Sequence, residues 1–587
     1  MFKSKLFFCV LFSLVIFFGI AKNASAASPA LNFSDLTSGP KSGLNDGLGQ
    51  GTIVTIWGNN LGSSQGSSKV YFKDSAGISR EAAYVYEWTN ANQHNGHPSD
   101  LYTYHKMQDI MFSIPAGSAD GAGTIYVSVG GANSNTLPFT VRAGEIYWVK
   151  NGGSNSVTLA NNSWETPWAS VDYAAAGAAS KISGSVAPGS IVYIYNVSET
   201  VSGSLKIDYN LGTVSNPVAY ATYPGTSYII TGGGFKNYMG RSENLVFSKI
   251  KIITQSSGIN AFKNMRAIGC EITDAGGNTP GTDCPGYASA AFEGAGEKTS
   301  GVKCFGNYVH DYGCDADENN NQDHVFYLSN RTGGPFEAYE VGWNYITDNQ
   351  VGYGYHVFDQ SPYGGYMGII KFHDNVAVRQ RRAGLHFSVS PEYNNIDAYN
   401  NLLIDCGQDP SGGLSVEVSG GAPGTHVRFY NNTIYGGIAS GDGAVAIYNS
   451  SAQFSYLGTW EWVNNIVVDT KNIPFSYYTD NHELTLVRNN IWYNGGDGNP
   501  ASPPSWDTNP ITSNPLFVNP SLNNFALQST SPAINAGSSL VSSIVNKDFF
   551  GLTRPQGAGY DIGAFEYDEN TPADAVVPNA PSGLSVR

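Results

Sequence analysis

Charge of either sign is scarce in this chain of 587 residues, and positive charge is the scarcer. Lys and Arg number 31 against 47 Asp and Glu, which gives a formal net charge of −16, and only 13% of the residues are charged. Nucleic-acid binding by phosphate neutralisation is therefore excluded, because the sequence supplies no global positive field. The hydrophobic content of 41% likewise excludes an intrinsically disordered chain.

Cysteine is also scarce, with six residues in the whole chain. The spacing of these cysteines does not match that of a zinc site. Export from the cytoplasm would permit Cys270 to pair with Cys284 and Cys304 with Cys314, and buried free thiols are the alternative. The sequence alone leaves both possibilities open.

Long apolar runs are lacking after the N-terminus. The apolar run from Leu6 to Ile20 follows Lys3 and Lys5 and precedes the small residues Ala24–Ala26, which is the order of a secretory signal. Roughly fifteen apolar residues are short for a bilayer span. Residues 1–26 are therefore predicted to be a signal peptide. We expect a secreted protein, extracellular or at the cell surface, with no membrane span and a monomeric state.

Glycine and tyrosine are abundant, with 69 and 36 residues, and they favour many short strands joined by tight turns. Residues 27–143 contain such runs and are predicted to form a small β-sandwich. Within them, Gly51–Gly62 (GTIVTIWGNNLG) and Asn135–Val141 (NTLPFTV) resemble the immunoglobulin-like IPT/TIG domain. That resemblance implies a spacer or binding unit, so we expect no chemistry there.

Asparagine-rich corners recur through the second half of the chain at intervals of about 25 to 37 residues, the range for stacked supersecondary units. Asparagine tolerates the left-handed conformation of a tight corner, and stacked Asn side chains can hydrogen-bond from coil to coil. We therefore assign these residues a structural role. The corners contain Asn307, Asn344, Asn375, Asn401, Asn432, Asn465 and Asn490.

A second repeat, of about thirty residues in its later part, aligns one strand position per coil. Strand alternation then places one set of residues inside and the next set on the outer face, about 4.8 Å apart from strand to strand. The predicted inner residues are Ile259, Phe292, Phe326, Tyr355, Leu385 and Leu414. The predicted outer column is Asn260, Glu293, Tyr327, His356, His386 and Ser415.

The ends of this region carry a family resemblance. The Ala-rich stretch Val171–Ala179, which favours a capping helix, precedes Gly189–Tyr195 (GSIVYIY), and the chain closes with Ser531–Gly537 (SPAINAG) and Asp561–Tyr567 (DIGAFEY). These segments resemble secreted right-handed parallel β-helix proteins of the pectate-lyase-like superfamily. The expected fold is thus all-β: a right-handed parallel β-helix at 144–567, after the small immunoglobulin-like β-sandwich and before a linker tail at 568–587.

The resemblance implies processing of an extended polysaccharide substrate along the outer face. β-Elimination from a uronic acid needs a base, a proton donor and a cation that neutralises the carboxylate. The predicted catalytic residues are His356 and His386 as base or neutraliser, Tyr327 as proton donor, and Arg382. The predicted substrate-binding residues are Asn260, Glu293, His324, Asp359, Lys371, Arg379, Arg381 and Glu417.

An acidic loop precedes the Tyr327 strand and could hold calcium. Asp315, Asp317 and Asp323 provide alternating oxygen donors of the kind that Ca²⁺ prefers. The loop lacks the glycine and terminal glutamate of an EF-hand, so a solvated loop is the alternative. In β-helix lyases calcium often bridges a substrate carboxylate to the protein, which is what the resemblance would imply here.

Two further functions stay open at this point. A glycoside hydrolase needs two carboxyl groups around the bond, and Glu293, Asp323, Asp359 and Glu417 are available near the column. A non-catalytic glycan-binding or adhesin protein would also use an aromatic-rich face. The sequence has no clear counterpart of the aspartates and arginine of pectate lyases, nor of the Lys/Arg pair of chondroitinase B and alginate lyases. A lyase is the favoured prediction.

Overall fold

The computed structural model of the chain describes residues 28–569 with gaps. The gaps are residues 94, 173–185, 204, 207–211, 237–242, 261–262, 275–289, 295–299, 314–323, 330–337, 351, 359–367, 390–393, 409–415, 421–425, 437–444, 449–458, 469–475, 478–483, 494–502, 504 and 506. Only the backbone is described for residues 206, 389, 394, 417–420, 445–448, 476–477 and 484–485. The predicted signal peptide and residues 570–587 of the predicted tail lie outside these ranges.

The N-terminal part is a β-sandwich of two mainly antiparallel sheets. Its strands are β1 (Ala30–Ser34), β2 (Ser38–Gly39), β3 (Ile53–Asn59), β4 (Lys69–Lys73), β5 (Ser79–Glu81), β6 (Tyr84–Asn90), β7 (Gln108–Ser113), β8 (Gly121–Val129), β9 (Ala132–Asn133) and β10 (Leu137–Val141). The sheet orders are β1-β3-β7-β6 and β2-β10-β8-β4-β5, with β9 on β8. Apolar side chains such as Phe72, Ile110 and Phe112 fill the space between the sheets.

The remaining strands follow one another in successive coils. They are β11 (Ile146–Lys150), β12 (Ile191–Tyr195), β13 (Val197–Thr200), β14 (Leu205–Lys206), β15 (Val218–Thr222), β16 (Tyr228–Thr231), β17 (Phe235–Lys236), β18 (Leu245–Ser248), β19 (Lys251–Ile253), β20 (Ile259–Asn260), β21 (Arg266–Ile268), β22 (Glu271–Thr273), β23 (Ala290–Gly294), β24 (Lys303–Phe305), β25 (Tyr308–His310), β26 (His324–Leu328), β27 (Tyr339–Gly342), β28 (Tyr345–Thr347), β29 (Tyr353–Phe358), β30 (Gly368–His373), β31 (Val376–Val378), β32 (Leu385–Val389), β33 (Asn394–Tyr399), β34 (Leu402–Ile404), β35 (Val416–Gly420), β36 (His426–Tyr430), β37 (Thr433–Tyr435), β38 (Val445–Tyr448), β39 (Thr459–Val463), β40 (Ile466–Val468), β41 (Ser476–Tyr477), β42 (Leu484–Arg488) and β43 (Ile491–Tyr493).

These strands build three parallel sheets, to which each complete coil contributes one strand apiece. Within the described residues the first sheet runs β11-β12-β15 and then every third strand to β42, the second runs from β13 to β43, and the third from β14 to β41. The chain is therefore a right-handed parallel β-helix, and the predicted all-β fold class is confirmed. Its interior is one continuous apolar core from Tyr147 to Trp492.

An asparagine ladder runs along the corner between the first and second sheets. Each ladder side chain donates from Nδ2 to Oδ1 of the next, for example Asn344 to Asn375 at 2.9 Å and Asn375 to Asn401 at 3.0 Å. The residue before each one, such as Asp374 (φ 54°), takes the left-handed turn. The ladder consists of Asn307, Asn344, Asn375, Asn401, Asn432, Asn465 and Asn490.

The sandwich packs along the β-helix from its first strands to the coil that contains Asp374. Phe33 lies between Trp57 of the sandwich and Trp343 of the β-helix, with ring centroids 5.0 Å apart on each side. Lys249 donates to the buried Asp35 carboxylate at 3.0 Å. These aromatic and ionic contacts join the two parts through buried surface.

A C-terminal segment packs on the second sheet. It contains the antiparallel pair β44 (Phe517–Asn519) and β45 (Asn524–Leu527). Phe525 and Ile562 belong to an apolar cluster with the outward-facing Val376 and Val468 of the second sheet. Short 3₁₀ helices occur at Leu159–Asn161, Pro520–Leu522 and Ser539–Ser543.

The described cysteines are buried and form no disulfide with one another: Cys270, Cys304 and Cys406. The free-thiol alternative therefore holds for Cys270 and Cys304, while Cys284 and Cys314 lie outside the described residues. Most of the predicted capping helix also lies outside them. No helix in the described part of the chain is long and apolar enough to cross a membrane.

Candidate functional site

The predicted outer column exists on the third sheet. Strand pairing places Asn260 opposite Glu293, Glu293 opposite Tyr327, and Tyr327 opposite His356. His356 is in turn opposite His386. The inward neighbours also pair as predicted, from Ile259 through Phe292, Phe326 and Tyr355 to Leu385.

The register of the next strand corrects the sequence analysis. Val416 pairs with Leu385 and Glu417 pairs with His386, so the predicted assignment of Leu414 and Ser415 to these positions is wrong. Both dipeptides offer an apolar residue followed by a polar one, and alternation alone cannot distinguish them. The column therefore continues through the backbone position of Glu417, whose side chain is outside the described set.

Three histidines from neighbouring strands form a cluster on this outer face, called here the histidine cluster: His324, His356 and His386. His324 Nε2 lies 3.1 Å from His356 Nδ1, and the rings of His356 and His386 are 4.6 Å apart. The three residues are only 4%, 6% and 5% exposed. Burial on an outward face is the property of a covered site, not of a solvated surface.

Burial sets the protonation of two of these histidines. Burial, together with a smaller repulsion from His386, lowers the pKa of His324 to about 3. Burial likewise holds the pKa of His356 well below its usual range, with added repulsion from His324 and His386. Both imidazoles are therefore neutral at neutral pH, so they can accept a proton but cannot neutralise a substrate carboxylate, and the lowered pKa makes each a weaker base than an exposed histidine.

Two ring nitrogens of the cluster lack a hydrogen-bond partner. His324 Nδ1 and His356 Nε2 are buried and have none among the described residues. Leaving a buried polar atom unpaired costs about 1–3 kcal/mol. A substrate group or an ordered water that paired with these atoms would remove that cost, which makes the cluster a candidate site.

Aromatic side chains surround the cluster, and sequence reasoning missed two of them. The Tyr353 ring stacks on His386 at 3.9 Å and lies 5.7 Å from His324. Tyr327 stacks on His324 at 4.9 Å. Phe358 is 36% exposed and lies 5.9 Å from His356. The segment YGYHVF carried the signal, because Phe358 follows His356 by two residues on the same strand face.

One end of the column is a carboxylate held by an amide. Asn260 Nδ2 donates to Glu293 Oε2 at 2.7 Å across adjacent strands. Asn260 is buried and Glu293 is half-buried. The pair fixes the Glu293 carboxylate next to Tyr327 in the column.

The arginines occupy the corner between the second and third sheets. Arg379 forms a two-point ion pair with Asp348, at 2.6 Å from both Nε and Nη2, and its Nη2 also donates to Thr347. Its guanidinium is thus held at the corner by Asp348 and Thr347. Arg381 and Arg382 are half-buried and lead directly into β32, which carries His386.

Lys371 is placed away from the column. It lies on β30 in the first sheet, opposite Glu340 and Asp397, within a row of largely alternating charges on that sheet. Proximity to His386 along the chain does not become proximity in space, because two corners of the coil separate β30 from β32. The structure therefore does not bring Lys371 to the predicted substrate-binding face.

The predicted calcium ligands Asp315, Asp317 and Asp323 lie outside the described residues, as does Asp359. Within the part of the chain that the structure describes, no group of three or more His, Cys, Asp or Glu side chains has the arrangement of a metal site. The calcium prediction concerns the acidic loop and so remains a prediction.

Comparison with known proteins adds no assignment. No model of a known protein family matches the chain, and no curated protein matches it. The functional argument therefore depends on the outer face of the third sheet.

Proposed function

We propose that this protein is a secreted polysaccharide-degrading enzyme, a lyase that cleaves a uronic-acid-containing polymer by β-elimination on the outer face of the third sheet. The observation that carries the proposal is the histidine cluster, in which His324 and His356 are buried, neutral and mutually hydrogen-bonded. A neutral imidazole accepts a proton at its bare ring nitrogen, although the lowered pKa makes each of these two a weaker base than an exposed histidine.

The column provides candidates for each step of an elimination. His356 Nε2 removes the proton next to the substrate carboxylate, while His324 receives the hydrogen bond from His356 Nδ1. Tyr327, whose ring lies 5.3 Å from that of His356, donates a proton to the departing glycosidic oxygen. Because two of the histidines are neutral, the carboxylate needs another cation, and Arg382 or calcium at the acidic loop fills that role.

The shape of the face suits a long substrate. Parallel strands about 4.8 Å apart present side chains in a straight, rigid row, as solenoid proteins do in their extended binding surfaces. The exposed ring of Phe358 beside His356 offers an apolar platform for a sugar ring. We propose that the chain belongs with the pectate-lyase-like β-helix proteins and that its sandwich is of the IPT/TIG type.

The geometry argues against one version of the hydrolase alternative. Glu293 and Glu417 are separated by four strand steps in the column, which is roughly 19 Å at the usual strand spacing. Paired carboxylates of glycosidases lie about 5–9.5 Å apart. These two residues therefore cannot form a catalytic pair across one glycosidic bond.

The test incubates the mature protein with a panel of uronate and neutral polysaccharides, following ultraviolet absorbance and reducing ends together. Elimination creates an unsaturated, absorbing uronate end, whereas hydrolysis creates reducing ends alone. We expect absorbance to rise with a uronate polymer and to be lost in His356→Ala. Reducing ends without absorbance would replace the lyase by a hydrolase, and absence of both signals would favour a glycan-binding protein.

A further inference from the structure

A second concave site lies where the sandwich meets the β-helix, away from the third sheet. It is a cleft of about 340 Å³, at the lower end of the size range of small-molecule sites. One wall is the sandwich loop with Gln93, Asn95 and Gly96, and the other wall is formed by strands of the second sheet, with Lys251 and Glu271.

The charges on the β-helix wall are paired with one another. Lys251 Nζ lies 2.7 Å from Glu271 Oε1, and His310 Nε2 lies 3.0 Å from the same oxygen. His310 Nδ1 contacts Asp311 at 2.8 Å. His310 and Asp311 lie behind the lining residue Glu271. A second lining ammonium, that of Lys249, is paired with Asp35 at 3.0 Å, so each charged lining group of this wall has a partner of opposite charge.

The sandwich wall is held in place by its own contacts. Gly96 has a φ of 81°, and a Cβ there would lie 3.0 Å from the Gly225 backbone nitrogen, so the loop approaches the β-helix closely. After Gly96 in the chain, His97 contacts Glu87 at 3.0 Å and His105 contacts the Asp374 carbonyl at 2.7 Å. Both histidines are buried.

We infer that this cleft binds a neutral saccharide unit through both the sandwich and the β-helix. A sugar hydroxyl both donates and accepts, which matches an ammonium, a carboxylate and amide groups set around one small cleft. An anionic sugar is disfavoured, because both lining ammonium groups are already neutralised, Lys251 by Glu271 and Lys249 by Asp35. The inference uses the cleft alone and does not rest on the chemistry proposed for the third sheet.

The test measures binding of glucose, galactose and N-acetylglucosamine, with galacturonate as the acidic comparison, by saturation-transfer NMR on the mature protein. We expect at least one neutral sugar to bind. Binding should be lost in Ile229→Trp, which fills the cleft from the β-helix wall, and should weaken roughly tenfold in Lys251→Met through loss of a charged hydrogen bond.

Two controls keep the outcome specific. Lys69→Met removes an ammonium from an exposed pair with Glu81, also at 2.7 Å, and should leave sugar binding unchanged. His356→Ala tests the third sheet and should also leave it unchanged. The inference is overturned if no neutral sugar binds, if galacturonate binds more tightly than galactose, or if binding survives both Ile229→Trp and Lys251→Met while unfolding temperatures match the wild type.

Discussion

His324 Nε2 lies 3.1 Å from His356 Nδ1, across adjacent strands of the third sheet. With both rings neutral, one nitrogen of this contact carries the shared proton and the other accepts it. The two outer nitrogens, His324 Nδ1 and His356 Nε2, are then always one bare and one protonated. The pair thus presents a base at one end and an acid at the other, whichever tautomer is present.

Removal of His356 should abolish most of the proposed activity. Because a positioned general base contributes about 10²–10⁴-fold to the rate, we expect His356→Ala to lower kcat by that order on a substrate of the wild-type protein. His324→Ala should also lower kcat, but by less, since it removes the partner that orients His356. Steady-state kinetics checks both.

The matched control is His426→Ala, a histidine on the first sheet that lies outside the column. It should retain wild-type kcat. Full activity in His356→Ala, on a confirmed substrate, would remove the histidine cluster from the mechanism.

The histidine cluster should also make the fold acid-sensitive. His324 has a folded pKa of about 3 against about 6.5 when unfolded. Between these values the unfolded chain binds the extra proton, so stability falls as pH falls from about 6.5 toward 3. Replacing His324 by Gln should make the pH slope of unfolding free energy shallower by up to about 1.4 kcal/mol per pH unit in that window.

The pKa of His373 shifts in the opposite direction, so its effect on the pH dependence of stability has the opposite sign. Burial alone would lower its pKa, but hydrogen bonds to Asp374 and Glu340 raise it to about 9. Its contribution to stability is fully present below about pH 6.5 and is lost as pH rises through 9. Denaturant unfolding of His324→Gln and of the wild type at a series of pH values tests the first expectation, and equal slopes for the two proteins would contradict it.

The repeat made most of the β-helix predictable, because the Asn corners and the outer column recur with the coil. The site was harder. His324 and Tyr327 are three residues apart yet share a face, since Val325 turns inward between them and breaks strict alternation. Arg379 and Lys371 are close to His386 in the sequence, and on that basis they were predicted to bind substrate. They do not lie beside it in space, because the chain passes from one sheet to the next between these residues.

The packing of the sandwich on the β-helix could not be predicted from local sequence patterns. Asp35 and Lys249 meet over a separation of 214 residues, and neither carries a signal that names its partner. The Gly- and Asn-rich strands predicted the sandwich itself, but periodicity describes only elements, not which surface of one element covers another.

The asparagine ladder should be a major source of stability. Asn375 Nδ2 donates to Asn401 Oδ1 and to the Val341 carbonyl, while its Oδ1 accepts from Asn344. Asn375→Ala removes the acceptor of the buried Asn344 backbone N–H and of one Asn344 Nδ2 hydrogen, at about 1–3 kcal/mol for each group left unpaired. Asn401 Oδ1 keeps the Asn375 backbone N–H as a donor. We expect the midpoint of chemical denaturation to fall accordingly, whereas the exposed Asn92→Ala should have little effect. Equal denaturation midpoints for Asn375→Ala and Asn92→Ala would contradict this role of the ladder.

Calcium dependence is a separate prediction. If Asp315, Asp317 and Asp323 bind Ca²⁺, a strong chelator should abolish activity on a uronate polymer and added calcium should restore it. Asp317→Asn should then raise the calcium concentration needed for half-maximal activity. Activity that is indifferent to chelation would remove calcium from the mechanism and leave Arg382 as the proposed cation.

The buried ion pair between the sandwich and the β-helix should be costly to break from one side. Lys249 Nζ contacts Asp35 at 3.0 Å and Thr55 Oγ1 at 2.8 Å, and both charged groups are almost fully buried. Lys249→Met leaves the Asp35 carboxylate uncompensated, for which a loss of about 3–5 kcal/mol in unfolding free energy is typical. Adding Asp35→Asn should recover much of that loss, because it removes the isolated charge.

Lys69→Met, from an exposed pair, is the control that should change little in unfolding free energy. Equal melting of the Lys249→Met protein and the wild type would mean that this contact does not hold the two parts together.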